Sequence, residues 1–155
     1  YIDVTGINNK LAYQNHLIRL NNADDTFLVG VIMFDLNNLK RVNDTLGHEM
    51  GDRYIESFSA ILAGVQNERI SAYRIGGDEF LVICTQIDEN TLIKHITELK
   101  ELMKERSVNM AAGVIWRENV ITGFDEMLRE SEERMYADKA QYYKEKGVER
   151  RKGRA

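Results

Sequence analysis

Proline is absent from this chain, and cysteine occurs once. Without proline, low-complexity tracts or internal repeats, nothing along the 155 residues marks a boundary, and residues 1–155 read as one domain. The lone Cys84 excludes an internal disulfide and fits a reducing compartment. It extends an apolar run, which reads as a buried structural thiol rather than a reactive one. No apolar run approaches the roughly 20 residues of a membrane span, and no signal peptide is visible. A cytoplasmic domain with no membrane contact of its own is therefore expected. Positive charge is not in excess either: a formal net charge of −4 argues against nucleic acid as a general partner. Only residues 144–155 are basic, with six Lys/Arg against two Glu. They read as a solvated or frayed terminus, with RNA or membrane contact as the lesser alternative. Because the chain opens on Tyr1 rather than Met, it is expected to be excised from a longer protein, whose upstream segments could include a membrane anchor.

What is present has the composition of a globular domain able to bury a core, 43% hydrophobic and 30% charged. Leu11, Ala12, Leu17, Ile18 and Leu20 give residues 8–20 helical spacing. Residues 27–34 form a nearly continuous β-rich apolar run, the pattern of a strand buried on both faces, with Asp35 at its C-terminal end. Leu39, Val42 and Leu46 predict a short helix. Tyr54, Ile55, Phe58, Ile61 and Leu62 predict a second over 52–65. Residues 70–75 and 79–85 form the arms of a hairpin. Asp88 to Thr91 offer helix-start chemistry for a helix reaching about Arg106. A strand over 110–116 and a helix over 123–142 follow, the latter with Phe124, Met127, Leu128, Met135 and Tyr136 inward. This order predicts an α/β (α+β) fold, a ferredoxin-like βαββαβ core with a mainly antiparallel sheet flanked by helices.

The hairpin tip, Gly76-Gly77-Asp78-Glu79-Phe80, is the most informative stretch. Glycine takes positive φ without steric cost, so the pair predicts a tight turn. The carboxylates that follow would face solvent or a metal ion. Ordinary hairpin turns also favour Gly and acidic residues, so the tip alone leaves both readings open. Asp35, if its strand is central, lies near this tip, and carboxylates so gathered suit a divalent cation with phosphate.

A second block decides between them. Asp35, Asn37, Lys40, Asn43, Asp44, Gly47, His48, Gly51 and Asp52 are followed by Arg74 and the pentapeptide. Together these segments resemble the GGDEF diguanylate cyclase family, which condenses two GTP molecules into cyclic di-GMP and two pyrophosphates. The pentapeptide alone would arise by chance on the order of once in ten thousand such chains at average composition. The resemblance implies a palm-like core, in agreement with the βαββαβ reading.

It also implies roles. Asp35, Asp78 and Glu79, with the Leu36 carbonyl, would hold Mg²⁺ or Mn²⁺, and Asp78 or Glu79 could assist deprotonation of the attacking hydroxyl. Lys40 and Lys139 would meet phosphates. Asn43 and Asp52 would read guanine, whose N1–H and N2–H₂ edge suits a carboxylate acceptor. Asn38 and the glycines Gly76 and Gly77 would lie against the substrate. Taken singly, Asp35 reads equally as a strand-end or capping residue, Lys40 as a solvated helix charge, and Asn43 and Asp52 as caps. His48 reads as a loop or packing residue, and Arg74 as a structural or interface residue. Because the product joins two nucleotides, a homodimer is expected at the active site. An upstream sensor or regulatory domain would promote it, leaving the isolated domain mainly monomeric and slow. A catalytically silent GTP-binding regulatory module is the alternative.

The match departs from the family pattern in three places. Ile2 stands where the N-terminal motif opens on an acid, with Asp3 one place late. Tyr143 stands where an arginine follows Lys139. Asn67 and Ile70 stand where many members carry the Arg and Asp of a product-inhibition site. Cyclic di-GMP is therefore expected not to inhibit through that last position. Turnover measured with added product checks this, and potent inhibition that maps to Asn67 and Ile70 would contradict it.

Overall fold

The computed structural model describes residues 7–21, 28–37, 39–118 and 124–153. Ile2 and Asp3, where the N-terminal motif departs from the pattern, and Asn38 lie outside the described residues. In chain order the elements are α1 (Lys10–Asn21), β1 (Val29–Leu36), α2 (Leu39–Leu46), α3 (His48–Gly64), β2 (Ile70–Arg74), β3 (Glu79–Thr85), α4 (Glu89–Glu105), β4 (Met110–Arg117) and α5 (Phe124–Gly153). The sheet runs β2-β3-β1-β4 with every pairing antiparallel, the order of a ferredoxin-like βαββαβ core.

β1 is buried at every position, because both faces of the central strand are covered. Its even-numbered residues Ile32, Phe34 and Leu36 join α3 and α4 in one core, where Phe58 packs on Phe34 and Phe80 at ring distances of 5.6 and 4.7 Å. Its odd-numbered residues Val29, Val31 and Met33 join Phe124, Met127 and Met135 of α5, with Ala12, Tyr13, Leu17 and Leu20 of α1 at the margin. The two-residue period of a strand puts Asp35 on this second face, beneath α5. Cys84 is buried in the first core, and burial pushes its thiol up to about 12, as expected of a structural cysteine.

Gly113 fixes how closely α5 lies. A Cβ there would fall 1.8 Å from the Ser131 carbonyl oxygen and 2.5 Å from the Met135 amide, so only glycine lets the helix backbone touch β4. Side chains of α5 also cover the outer edge of β4: Asp138 accepts from the Ala112 amide at 2.9 Å, and Arg134 donates to the Val114 carbonyl at 2.8 Å. The opposite edge, β2, is closed by Asn8 and Gln66, which bond the Ala72 carbonyl and amide. Both sheet edges thus have partners at these backbone groups and are blunted as templates for strand addition.

Several boundaries differ from expectation. α3 begins at His48 rather than Asp52, because Gly47, at φ +87°, makes the turn and Gly51 is accommodated inside the helix. α5 continues to Gly153 instead of ending near Tyr142, so the basic residues 144–153 are helical. Leu11, Ile18 and Tyr136, read as core, are exposed, and Tyr136 donates to Glu132 at the surface.

Gly113→Ala is expected to destabilise the fold by about 3 kcal/mol, since the methyl meets helix backbone that has no side chain to move aside. Urea unfolding checks this, and a loss below about 0.5 kcal/mol would contradict the packing account.

Candidate active site

Register brings the acids together. Asp35 lies directly opposite Glu79 across the β1–β3 ladder, and the Leu36 amide donates to the Asp78 carbonyl at 3.2 Å. Carboxylate oxygens of Asp35, Asp78 and Glu79 all fall within 4.8 Å of one another. Asp35 is only 4% exposed, while Asp78 and Glu79 are half-buried. Burial pushes Asp35 up to about 6, and the neighbouring Asp78 charge adds to this against the opposing pull of Lys139.

Lys139 comes from α5. It follows Ser131 and Met135, the residues that touch Gly113, at successive intervals of four on one helix face. Its ammonium donates to Asp35 Oδ2 at 2.8 Å. Burial disfavours the lysine's charge, but the Asp35 hydrogen bond and the charges of Asp35 and Asp78 outweigh it, and its pKa is raised. The other oxygen, Asp35 Oδ1, is buried without a hydrogen-bond partner. An inward, unpartnered oxygen amid two further carboxylates fits a hard divalent cation, which takes oxygen ligands and relieves their repulsion.

The hairpin tip differs from expectation in its backbone. Among the described residues Gly47 is the glycine with positive φ, so neither Gly76 nor Gly77 uses the left-handed freedom anticipated for it. Arg74 holds the turn instead, donating to the Gly76 and Gly77 carbonyls at 3.3 and 2.8 Å. A Cβ on Gly77 would meet nothing within 4 Å, so Gly77 leaves bare backbone beside the acids, while one on Gly76 would touch Glu79 at 3.4 Å.

Asn43 and Asp52 form a second locus on the α2–α3 turn. The Asn43 carboxamide lies over Gly51, where a Cβ would fall 1.7 Å from its oxygen. Asp52 is the next residue and is exposed. Lys40 is exposed and lines a cavity with Tyr143 of α5. Asn38, also expected here, lies outside the described residues. His48 is exposed in the first turn of α3. Asn67 bonds the Arg69 and Ile70 amides, which makes it a turn residue.

One support was not anticipated. The Tyr54 hydroxyl accepts from the Asn109 amide at 2.7 Å and reaches the Asn109 and Asn37 carbonyls, while Asn37 and Asn109 join through their side chains. This network pins the segment leaving β1 to the start of β4. Helical spacing marked Tyr54 as core, and its hydroxyl was the one available hint of a polar task.

The family model described as "Diguanylate cyclase, GGDEF domain" matches residues 2–145. The chain belongs to the GGDEF family. PdeR, a cyclic di-GMP phosphodiesterase of Escherichia coli K12, is 39% identical over 90 residues, covering 57% of this chain and 14% of PdeR. The diguanylate cyclase DgcN of the same organism is 33% identical over 94 residues, 60% of this chain and 23% of DgcN. The chain thus spans under half the length of the curated relatives it matches. Among solved structures, the GGDEF domain of Caulobacter crescentus DgcB in complex with c-di-GMP has a TM-score of 0.79 at 19% identity, covering 90% of each chain. Pseudomonas aeruginosa SiaD, solved with its activator SiaC, also has a TM-score of 0.79, at 21% identity over 90% of this chain and 58% of that one. These likenesses establish the fold. No helix among the described residues is long and apolar enough to cross a membrane.

The Asp35 environment has a measurable cost. A carboxyl held at about 6 in the fold, against 3.8 ordinarily, binds its proton more tightly folded than unfolded. Stability is therefore fully present below about pH 4 and is lost as pH rises through 6. In metal-free buffer, Asp35→Asn is expected to be more stable than the parent by about 1 kcal/mol at pH 8, with the gap closing near pH 4. Thermal melting against pH checks this, and a gap independent of pH would contradict it.

Proposed function

We propose that this domain is a diguanylate cyclase, condensing two GTP into cyclic di-GMP and two pyrophosphates at a homodimer interface. The observation that carries the reading is the cluster of Asp35, Asp78 and Glu79 within 4.8 Å, with the inner oxygen of Asp35 unpartnered, at the strand ends of a GGDEF fold. These three acids and the Leu36 carbonyl would hold Mg²⁺ or Mn²⁺. Such a cation, when bound, would supply positive charge to the phosphoryl oxygens and the pyrophosphate leaving group.

The chain's own groups do the rest. Asp78 or Glu79, both accessible, takes the proton of the attacking ribose 3′-hydroxyl. The unsubstituted backbone of Gly76 and Gly77 lets the nucleotide approach the acids. Asn43 and Asp52 hold guanine, Asp52 accepting from its N1–H and N2–H₂ edge, which adenine lacks. Lys40 is assigned to the phosphates, and Asn38 to the substrate from its place in the motif alone. Lys139 stays bonded to Asp35 and brings its charge beside the phosphate nearest the acids. Each domain offers a single nucleotide site, so two must face each other for the product to close. Residues 1–155 act as one domain within a longer signalling protein, as the greater length of the relatives supports.

A second reading, a GTP-binding regulatory module without turnover, is favoured by one observation. Tyr143 occupies the position where the family pattern has arginine, leaving one fewer fixed cation beside the phosphates.

Incubating concentrated protein with GTP and Mg²⁺ and separating the products by chromatography tests the proposal. Cyclic di-GMP from the parent chain, absent with Asp78→Ala and rising more steeply than linearly with protein concentration, is expected. GTP binding without product, even in an artificially dimerised form, would favour the regulatory module.

A further inference from the structure

Between α2 and the C-terminal half of α5 lies a cavity of about 570 Å³, and its charge is one-sided. Lys40 and Arg41 of α2 and Lys146 of α5 line it, with Asp44 as the acid among its lining residues. Its volume falls within the range of small-molecule sites, and cations in a concavity reinforce one another's field. We propose that Lys146 binds the terminal phosphates of the nucleoside triphosphate in this cavity, supplying the charge that Tyr143 does not. The inference rests on the reading of the acid cluster as the site of nucleotide chemistry.

Three placements carry it. Lys139, Tyr143 and Lys146 follow one another at intervals of four and three, which is a single stripe along α5. The first of them bonds Asp35, and the other two line the cavity. The cavity therefore continues the carboxylate cluster along the helix. At 1.5 Å per residue, Lys146 lies about 10 Å beyond Lys139. Of the cluster and the cavity, the cavity is the cation-lined one, so it is the side toward which the β- and γ-phosphates of a nucleotide held at the acids are drawn. The charge of Lys139 is already engaged by Asp35 at 2.8 Å, so the far phosphates need a counter-charge from elsewhere. Lys146 is exposed, and its ammonium lies 5.8 Å from the centre of the Tyr142 ring, which steadies a long side chain at the cavity rim.

Lys146 therefore reads phosphate number rather than base. This separates its effect from those of Asn43 and Asp52. Because the residue is exposed on a helix, its replacement leaves the core intact, and an unchanged melting temperature verifies that.

Calorimetric titration of the full chain with GTP, GMP and inorganic tripolyphosphate tests the inference. Lys146→Ala is expected to raise the Kd for GTP and for tripolyphosphate about fivefold, to leave GMP unchanged, and to be rescued by Lys146→Arg. Equal GTP and tripolyphosphate affinities in the parent and Lys146→Ala, or no binding of either by the parent, would overturn it. The outcome is independent of turnover. Tripolyphosphate binding that needs Lys146 without cyclic di-GMP formation upholds the inference and removes the cyclase reading. Cyclic di-GMP formation with unaltered GTP affinity in Lys146→Ala does the reverse.

Discussion

The β1–β3 register sets two carboxylates face to face at the closed end of the sheet, and much else in the molecule accommodates that arrangement. Asp35 opposes Glu79, and Asp78 sits one residue away, in a corner where Asp35 is almost wholly removed from water. Like charges opposite one another destabilise a ladder, and a buried charge destabilises it more. Lys139 offsets part of this by bonding one oxygen of Asp35, but the second oxygen is left unpartnered. A sequence selected only for stability would not keep three acids here. Retaining them is the pattern of a site whose strain serves a ligand.

The supports around this corner follow from the same constraint. Gly113 lets α5 approach β4 until helix and strand backbones touch, which brings Lys139 within reach of Asp35. Arg74 bonds the Gly76 and Gly77 carbonyls, fixing the hairpin turn that carries Asp78 and Glu79, while Gly77 stays exposed. Tyr54 and Asn109 tie down the segment leaving β1. The acids are thus mounted on strand ends and braced by three separate elements. Such bracing is what a reaction dependent on sub-ångström placement requires.

Much of this was legible in the sequence, and the reasons differ from part to part. β1 could be read as a doubly buried strand because a run of Val, Ile, Met and Phe has no polar face to show. The acids could be read because Asp35 closes that strand and Asp78-Glu79 close a hairpin, so topology alone makes them neighbours. α3 starts earlier than its apolar spacing suggests, because Gly51 resembles a loop residue although it sits inside the helix with Asn43 lying over it. The hairpin glycines suggest positive φ, but the turn forms without it and is held by Arg74. The motif points Lys139 at phosphate, but its bond to Asp35 depends on how closely α5 packs, and one glycine in β4 sets that. The Tyr54–Asn109 bond spans 55 residues, and no local spacing announces it.

The central claim is that Asp35, Asp78 and Glu79 form one divalent-cation site rather than a chance gathering of acids. Titrating Mn²⁺ and following the free ion by electron paramagnetic resonance addresses it without any need for turnover. The parent chain is expected to sequester Mn²⁺, and Asp35→Asn or Asp78→Asn to weaken this by about tenfold or more. Equal Mn²⁺ binding by the parent and both variants would contradict it.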